Sequence, residues 1–298
     1  MLTGNPISFA ECTARERIRH LVDAGSFVEW LPPAQRRTSP HLAQLGLPAA
    51  LDDGAIVGAA TLDGRPVLVA AQEGGFIGGG VGEVHGAKLT GLFQVARQLA
   101  DRPVLLLADS GGVRLHEANA GLIAVPEVMR ALIEAREAGV NVVVLIGGAN
   151  GCFGGMGIVA ACADQVVMSD VARWSMSGPE VIESSNGVEE FDSRDRALVW
   201  RTTGGRNRFL SGDCDRLVED DVAAFRAAAI ALLDRRRGFD LDSLEREHRQ
   251  LAERVLRCGD NNDAMAWWGR LGCGDAAVLA EMDVDQLTAA RPLHPEPA

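Results

Sequence analysis

The chain has 298 residues, enough for one large domain or two small ones. It is 47% hydrophobic and 23% charged, an ordinary globular balance, and its net charge of −12 argues against bulk nucleic-acid or anionic-membrane binding. No apolar run reaches the roughly 18 residues of a membrane span, no apolar signal core is visible near the N-terminus, and the six cysteines show no Cys-x-x-Cys spacing. A cytoplasmic protein with reduced thiols and no metal site is expected.

In chain order, residues 1–7 read as frayed. Ser8 and Glu11 fit a capping box ahead of Ile18, Leu21 and Val22, with Gly25 ending that helix. Residues 26–31 read as a short strand and 32–48 as a surface loop. Residues 55–62 and 66–72 are predicted strands joined by Asp63-Gly64, a hairpin signal. The glycine-rich stretch 73–82 then opens a helix, with Val84, Ala87, Leu92, Val95, Ala96 and Leu99 near helical period.

Residues 104–108 and 140–146 are continuous apolar runs bounded by glycine, the mark of strands buried on both faces. Each runs into a glycine turn that opens a helix. The first of these helices is expected to carry Pro126 in its first turn and to close at Gly139. Residues 165–168 and 173–176 read as further strands, and 177–180 as a helix start. Segment 192–208 is crowded with charge, 220–237 and 241–257 read as helices, and the tail from Thr288, with Pro292, Pro295 and Pro297, reads as loose. Three regions follow: an N-terminal helix and loop region at 1–54, a core domain at 55–240, and a C-terminal helical extension and tail at 241–298.

A helix opening after a glycine turn presents unpaired N–H groups. Two such turns brought together aim two donors at one oxygen, the recipe for stabilising an oxyanion. Gly78 and Gly80, between a strand and a helix, also raise a dinucleotide-binding reading, with Asp109 as the acidic residue ending the next strand. Against it, Asp109 runs straight into Ser110-Gly111-Gly112. Cys152 reads as core filling, because no histidine stands at a diagnostic spacing.

Three motifs carry a family resemblance. Asp-Ser-Gly-Gly-Val-Arg-Leu-His-Glu (109–117) resembles the Ser-Gly-Gly-Ala-Arg-x-Gln-Glu motif of acyl-CoA carboxyltransferases, members of the crotonase superfamily. Residues 76–88 resemble their Gly-Gly-Ser-x-Gly-x-Val-x-Gly-x-Lys segment, and Ser-Gly-Pro-Glu-Val-Ile-Glu (177–183) their Ala-Gly-Pro-Arg-Val-Ile-Glu. The likeness covers roughly residues 10–225. Within that group, His116-Glu117, the turn 147–157 and Gly-Val-Glu-Glu-Phe-Asp-Ser-Arg-Asp-Arg (187–196) resemble the β subunits of biotin-independent malonate decarboxylases. The chain lacks the four-cysteine zinc ribbon of the acetyl-CoA carboxylase β subunit.

The resemblance implies an α/β crotonase-like fold, a superhelix of repeated strand–strand–helix units with terminal helices. It implies decarboxylation of malonyl thioester on an acyl carrier protein, with the second crotonase domain supplied by a γ subunit. The enolate left by CO2 is expected to be held by backbone donors from Gly111, Gly112, Val113, Gly154 and Gly155, with Val113 and Gly155 favoured. No cofactor is expected on this chain; the phosphopantetheine-type thiol belongs to the carrier.

His85, His116, Glu117 and water are candidate proton donors; each histidine has an equally open structural or surface role, and Glu117 has the alternative of capping or of pairing with Arg114. Substrate contacts are expected from Gly78, Gly79, Gly80, Gly111, Arg114, Gly178 and Pro179. Lys88 and Arg114 have a structural alternative, bonding to local carbonyls. Arg194, Arg196, Arg201, Arg206 and Arg208 form a candidate docking surface for an acidic carrier, or a solvated face. The alternative activities are a biotin-dependent carboxyltransferase subunit, a hydratase or isomerase, and a non-catalytic scaffold.

Overall fold

The computed structural model describes residues 6–35, 37–259 and 263–290. Residues 1–5 of the expected frayed end and the tail prolines 292, 295 and 297 lie outside them. In chain order the elements are α1 (Ala14–Leu21), β1 (Val28–Trp30), α2 (Pro40–Gln44), β2 (Ala55–Leu62), β3 (Arg65–Gln72), α3 (Glu83–Leu99), β4 (Val104–Ala108) and α4 (Asn119–Glu137). There follow β5 (Val142–Ile146), α5 (Gly154–Ala161), β6 (Gln165–Ser169), α6 (Pro179–Asn186), α7 (Arg196–Thr203), α8 (Gly205–Leu210), β7 (Arg216–Val218) and α9 (Val222–Leu232). The C-terminal part holds α10 (Leu241–Cys258), α11 (Ala264–Arg270), α12 (Ala276–Glu281) and α13 (Val284–Ala290).

One seven-stranded sheet runs β1 to β7 in sequence order. β1–β2 and β2–β3 are antiparallel, and every later pair is parallel. The period of two along each strand divides the core into two layers. Leu68, Ala70, Leu106, Val144 and Ile146 meet Leu92, Phe93, Val128, Leu132 and Val159 of α3, α4 and α5. Val67, Val69, Leu105, Leu107, Val143 and Leu145 meet Ile18 and Leu21 of α1 and Phe225 and Leu232 of α9. Each valine, leucine, isoleucine or phenylalanine among them contributes about 1.5–3 kcal/mol on burial.

Several boundaries differ from expectation. The capping box is Thr13 with Glu16. Ser8 accepts Glu11 N–H (3.1 Å) across a turn only and also donates to Asp220, while Ile7 donates to Asp221, so the chain is tied to α9 before any helix starts. Helix α1 ends at Leu21, and Gly25 (φ +73°) serves the following turn. The 32–48 loop contains α2, capped by Ser39. Pro126 sits inside α4, not in its first turn. The apolar face of α3 is turned, so that Leu89 and Phe93 are buried and Leu99 is exposed. Residues 173–176 form no strand, only single bridges from Trp174 to Cys152 and from Arg173 to Gly204. The expected 220–237 helix stops at Leu232, and Thr288 lies within α13.

Candidate functional site

Four connections leave the carboxyl ends of the neighbouring strands β3, β4, β5 and β6, where open parallel sheets place ligands. The middle two are zipped together: Ser110 N–H donates to the Gly151 carbonyl (2.7 Å) and Phe153 N–H to the Ser110 carbonyl (2.8 Å). Gly112 (φ +112°) and Gly154 (φ +58°) face each other so closely that a Cβ on either would lie 3.1 Å from the other's Cα. Only glycine fits both the conformation and the approach.

This close packing leaves specific donors unused. Gly111 N–H is spent on the Gly78 carbonyl and Gly112 N–H on Ser110 Oγ. Val113 N–H, Gly154 N–H and Gly155 N–H have no acceptor among the described residues. The last two open α5, where the first turn carries unpaired donors and a positive partial charge. Val113, Gly154 and Gly155 are all partly exposed. Unpaired amides in adjoining turns suit an oxygen that gains negative charge.

Beneath the turns lies a set of buried charges. Arg114 is 1% exposed. Its guanidinium pairs with Asp53 (2.9 Å) and Glu117 (2.8 Å) and donates to the Gly80 and Asp53 carbonyls. This corrects its expected substrate contact: every side of the cation is engaged in protein. Glu117 is corrected likewise as a proton donor, because its carboxylate accepts from Arg114 and from Glu83 N–H at the start of α3. Burial pushes the Asp53 carboxyl above its ordinary range against the pull of Arg114. Asp109 pairs with buried Arg17 (2.9 Å) and accepts Asn150 N–H (2.9 Å), which leaves nothing for a ribose. A Cβ at Gly148 would stand 2.1 Å from its carboxyl carbon.

Two further candidates are structural. His85 is wholly buried and accepts from Gln72 Nε2 (3.0 Å). Burial, reinforced by Arg114 and Lys88, pushes its pKa down to about 3, so it is neutral and cannot serve as a proton donor near neutral pH. Lys88 donates to the Asp52 and Ala55 carbonyls. Cys152 is buried with its thiol pKa pushed up by desolvation, which suits core filling. His116 is exposed, three residues past Val113.

Gly78 and Gly79 form a 3-10 turn against the 110–114 turn, and Gly80 follows it. Gly178 and Pro179 cap and begin α6, just after Ser175 N–H reaches the Cys152 carbonyl. The arginine group divides. Arg194, Arg196 and Arg201 are exposed. Arg206 instead holds the Ala280 and Met282 carbonyls, and Arg208 holds Asp213 and the Trp174 carbonyl. These two are corrected from docking to internal bracing. A half-open cavity of about 620 Å³ beside Arg201 is lined by Phe191, Leu198, Asn207 and Trp267. Among the described residues, no cluster of three or more His, Cys, Asp or Glu is placed to hold a metal, and no helix is long and apolar enough to cross a membrane.

Sequential parallel strands with glycine turns at their carboxyl ends and unpaired amides between them define a crotonase-like carboxyltransferase architecture. The carboxyl transferase domain model matches residues 9–230, and the chain belongs to that family. It is 40% identical to the malonyl-S-ACP:biotin-protein carboxyltransferase MADC of Malonomonas rubra, over 95% of each chain. It resembles a chain of a Pseudomonas malonate decarboxylase hetero-tetramer solved with malonate, at 39% identity and TM-score 0.82, covering 90% of this chain and 98% of that one. A chain of the Pseudomonas malonate decarboxylase MdcD–MdcE hetero-dimer aligns at 36% identity and TM-score 0.67, covering 82% and 96%. The chain is thus a malonate-decarboxylase-type member of the family, and its solved relatives occur with partner subunits.

Proposed function

We propose that this chain is the β-type subunit of a malonate decarboxylase. It converts malonyl-S-[acyl carrier protein] to acetyl-S-[acyl carrier protein] and CO2, in the cytoplasm, with a γ-type subunit completing the site. The observation that carries the reading is the pair of unpaired N–H groups of Val113 and Gly155 in two interlocked glycine turns.

The carbon–carbon bond to the malonyl carboxylate breaks, CO2 leaves, and the electron pair passes into the thioester as an enolate. Donors fixed at the thioester oxygen bind this enolate more strongly than the ground-state carbonyl, each contributing about 3 kcal/mol. The N-terminus of α5 adds a favourable partial charge. A proton then returns to the α-carbon, from exposed His116 or from water. The phosphopantetheine-type arm that carries the malonyl group belongs to the carrier protein, and Arg194, Arg196 and Arg201 offer that acidic partner a basic face.

A second reading keeps the same enolate but passes the carboxyl group to biotin. The name of the Malonomonas relative favours it. Measuring CO2 release from malonyl carrier protein without biotin, with this chain alone and with its partner subunit, separates the two. Release that needs only the partner is expected. No CO2 release, with acetyl carrier protein formed only when a biotinylated acceptor takes up the carboxyl group, overturns the biotin-free reading.

A further inference from the structure

The turn at 147–155 carries one of the proposed donors. Buried Asp109 holds it at Asn150 N–H, and Arg173 holds the part that leads into α5. Its carbonyl accepts Cys152 N–H at 2.9 Å. Its guanidinium donates to the Ala149 carbonyl and lies over the Phe153 ring, 5.7 Å from the centroid. Phe153 is the residue that caps α5, immediately before Gly154 and Gly155. A single residue therefore touches this turn at Ala149, Cys152 and Phe153.

The same guanidinium lies 4.7 Å from the centroid of the Trp200 ring in α7. Trp200 is itself fixed, because its indole N–H donates to the Val171 carbonyl at 3.0 Å. A planar guanidinium suits this place: it stacks on rings and donates in its own plane at once. Lysine supplies the charge and one bond but not the stack.

We propose that Arg173 is a positioning residue for catalysis: by clamping the turn 149–153 between α7 and α5, it fixes the aim of the Gly155 N–H at the enolate oxygen. The inference rests on the reading of Gly155 as a donor. Arg173 itself touches no reacting atom.

The test uses the chain assembled with its partner subunit, and follows kcat and KM separately for malonyl carrier protein in Arg173→Met, Arg173→Lys and Trp200→Leu. A misaimed donor costs about 10²-fold in rate, so Arg173→Met is expected to lose that factor in kcat with KM within about two-fold. Arg173→Lys is expected to recover about ten-fold of it, and Trp200→Leu to fall between. In parallel, Gly155→Pro and Gly155→Ala are compared in a Val125→Ala background, which probes the donor itself.

If the two Gly155 variants turn over equally, the donor reading fails and this inference falls with it. If they differ while Arg173→Met keeps its kcat, or loses only through KM, the positioning role is overturned and the donor reading stands. Should Arg173→Met not assemble, unchanged kcat in both Arg173→Lys and Trp200→Leu overturns it equally.

Discussion

The turns at 110–114 and 147–155 touch through Gly112 and Gly154, yet they are held by different sets of groups. Under the first lies the Arg114–Asp53–Glu117 ion group, whose side chains have no solvent exposure. The second is held by the buried Arg17–Asp109 pair at Asn150 and, further along, by Arg173, a half-buried cation stacked on Phe153 and Trp200. A buried ion group is rigid and unforgiving, since removing one partner strands the others without water. A stacked cation near the surface contributes less and is open to adjustment from outside. The site thus pairs a donor turn anchored by buried charge alone with one that also leans on a cation near the surface.

The largest expected effect falls on the anchored side. Arg114→Met leaves Asp53 and Glu117 buried and unpaired, at a cost of about 3–5 kcal/mol in urea unfolding. Arg173→Met is expected to cost about 1 kcal/mol by the same measurement. Equal losses for the two would erase the contrast.

Acid sharpens it further. The pKa of His85 falls from its ordinary value near 6.5 to about 3 in the folded chain, so between those values the unfolded chain takes up a proton that the folded chain refuses. Stability should fall as pH drops through that window, and His85→Gln should flatten the slope. Denaturant midpoints measured from pH 7 to pH 4 check this, and identical slopes would remove His85 from the account.

The smallest effect belongs to the outer surface. Arg194→Ala and Arg201→Ala remove exposed charges worth about 0.5–1 kcal/mol each, so KM for the carrier-bound substrate should rise two- to five-fold. Added salt should narrow the difference from wild type. A difference that persists at high salt would contradict electrostatic docking.

Much of this arrangement is legible in the amino-acid sequence. Apolar runs between glycines mark β4 and β5 because a strand buried on both faces has no polar side to display. Asp63-Gly64 marks the β2–β3 hairpin, and both residues have positive φ. The glycine turns mark where the backbone must come close. What escapes is whatever depends on partners distant in sequence. Thr13-x-x-Glu16 and Ser8-x-x-Glu11 have the same pattern, and each hydroxyl accepts the N–H three residues on, but only Glu16 reaches back to its cap N–H and only Thr13 leads into a helix.

Among the buried charges, the local Arg114–Glu117 pair is legible, and the long-range pairs are hidden. Arg17, on its face part of an ordinary amphipathic helix, reaches Asp109 across 92 residues, and Asp53 reaches Arg114 across 61. No local spacing signals such pairs. The one hint is that an arginine and a glutamate set among close-packed glycines need partners within the protein. Arg206 and Arg208 mislead for the converse reason: a run of arginines reads as a face, but each side chain can turn inward to a carbonyl.

The central claim is that an amide donor at Gly155 stabilises the enolate, and one pair of variants isolates it. A Cβ at Gly155 would meet Val125 Cγ1 at 2.5 Å, so both variants carry Val125→Ala to make room. Gly155→Ala then keeps the N–H, whereas Gly155→Pro deletes it at a helix start that tolerates proline. CO2 release from malonyl carrier protein by the assembled complex is the readout. The proline variant is expected to be slower than the alanine variant by about 10²–10³-fold in kcat, and equal rates in two folded complexes would contradict the claim.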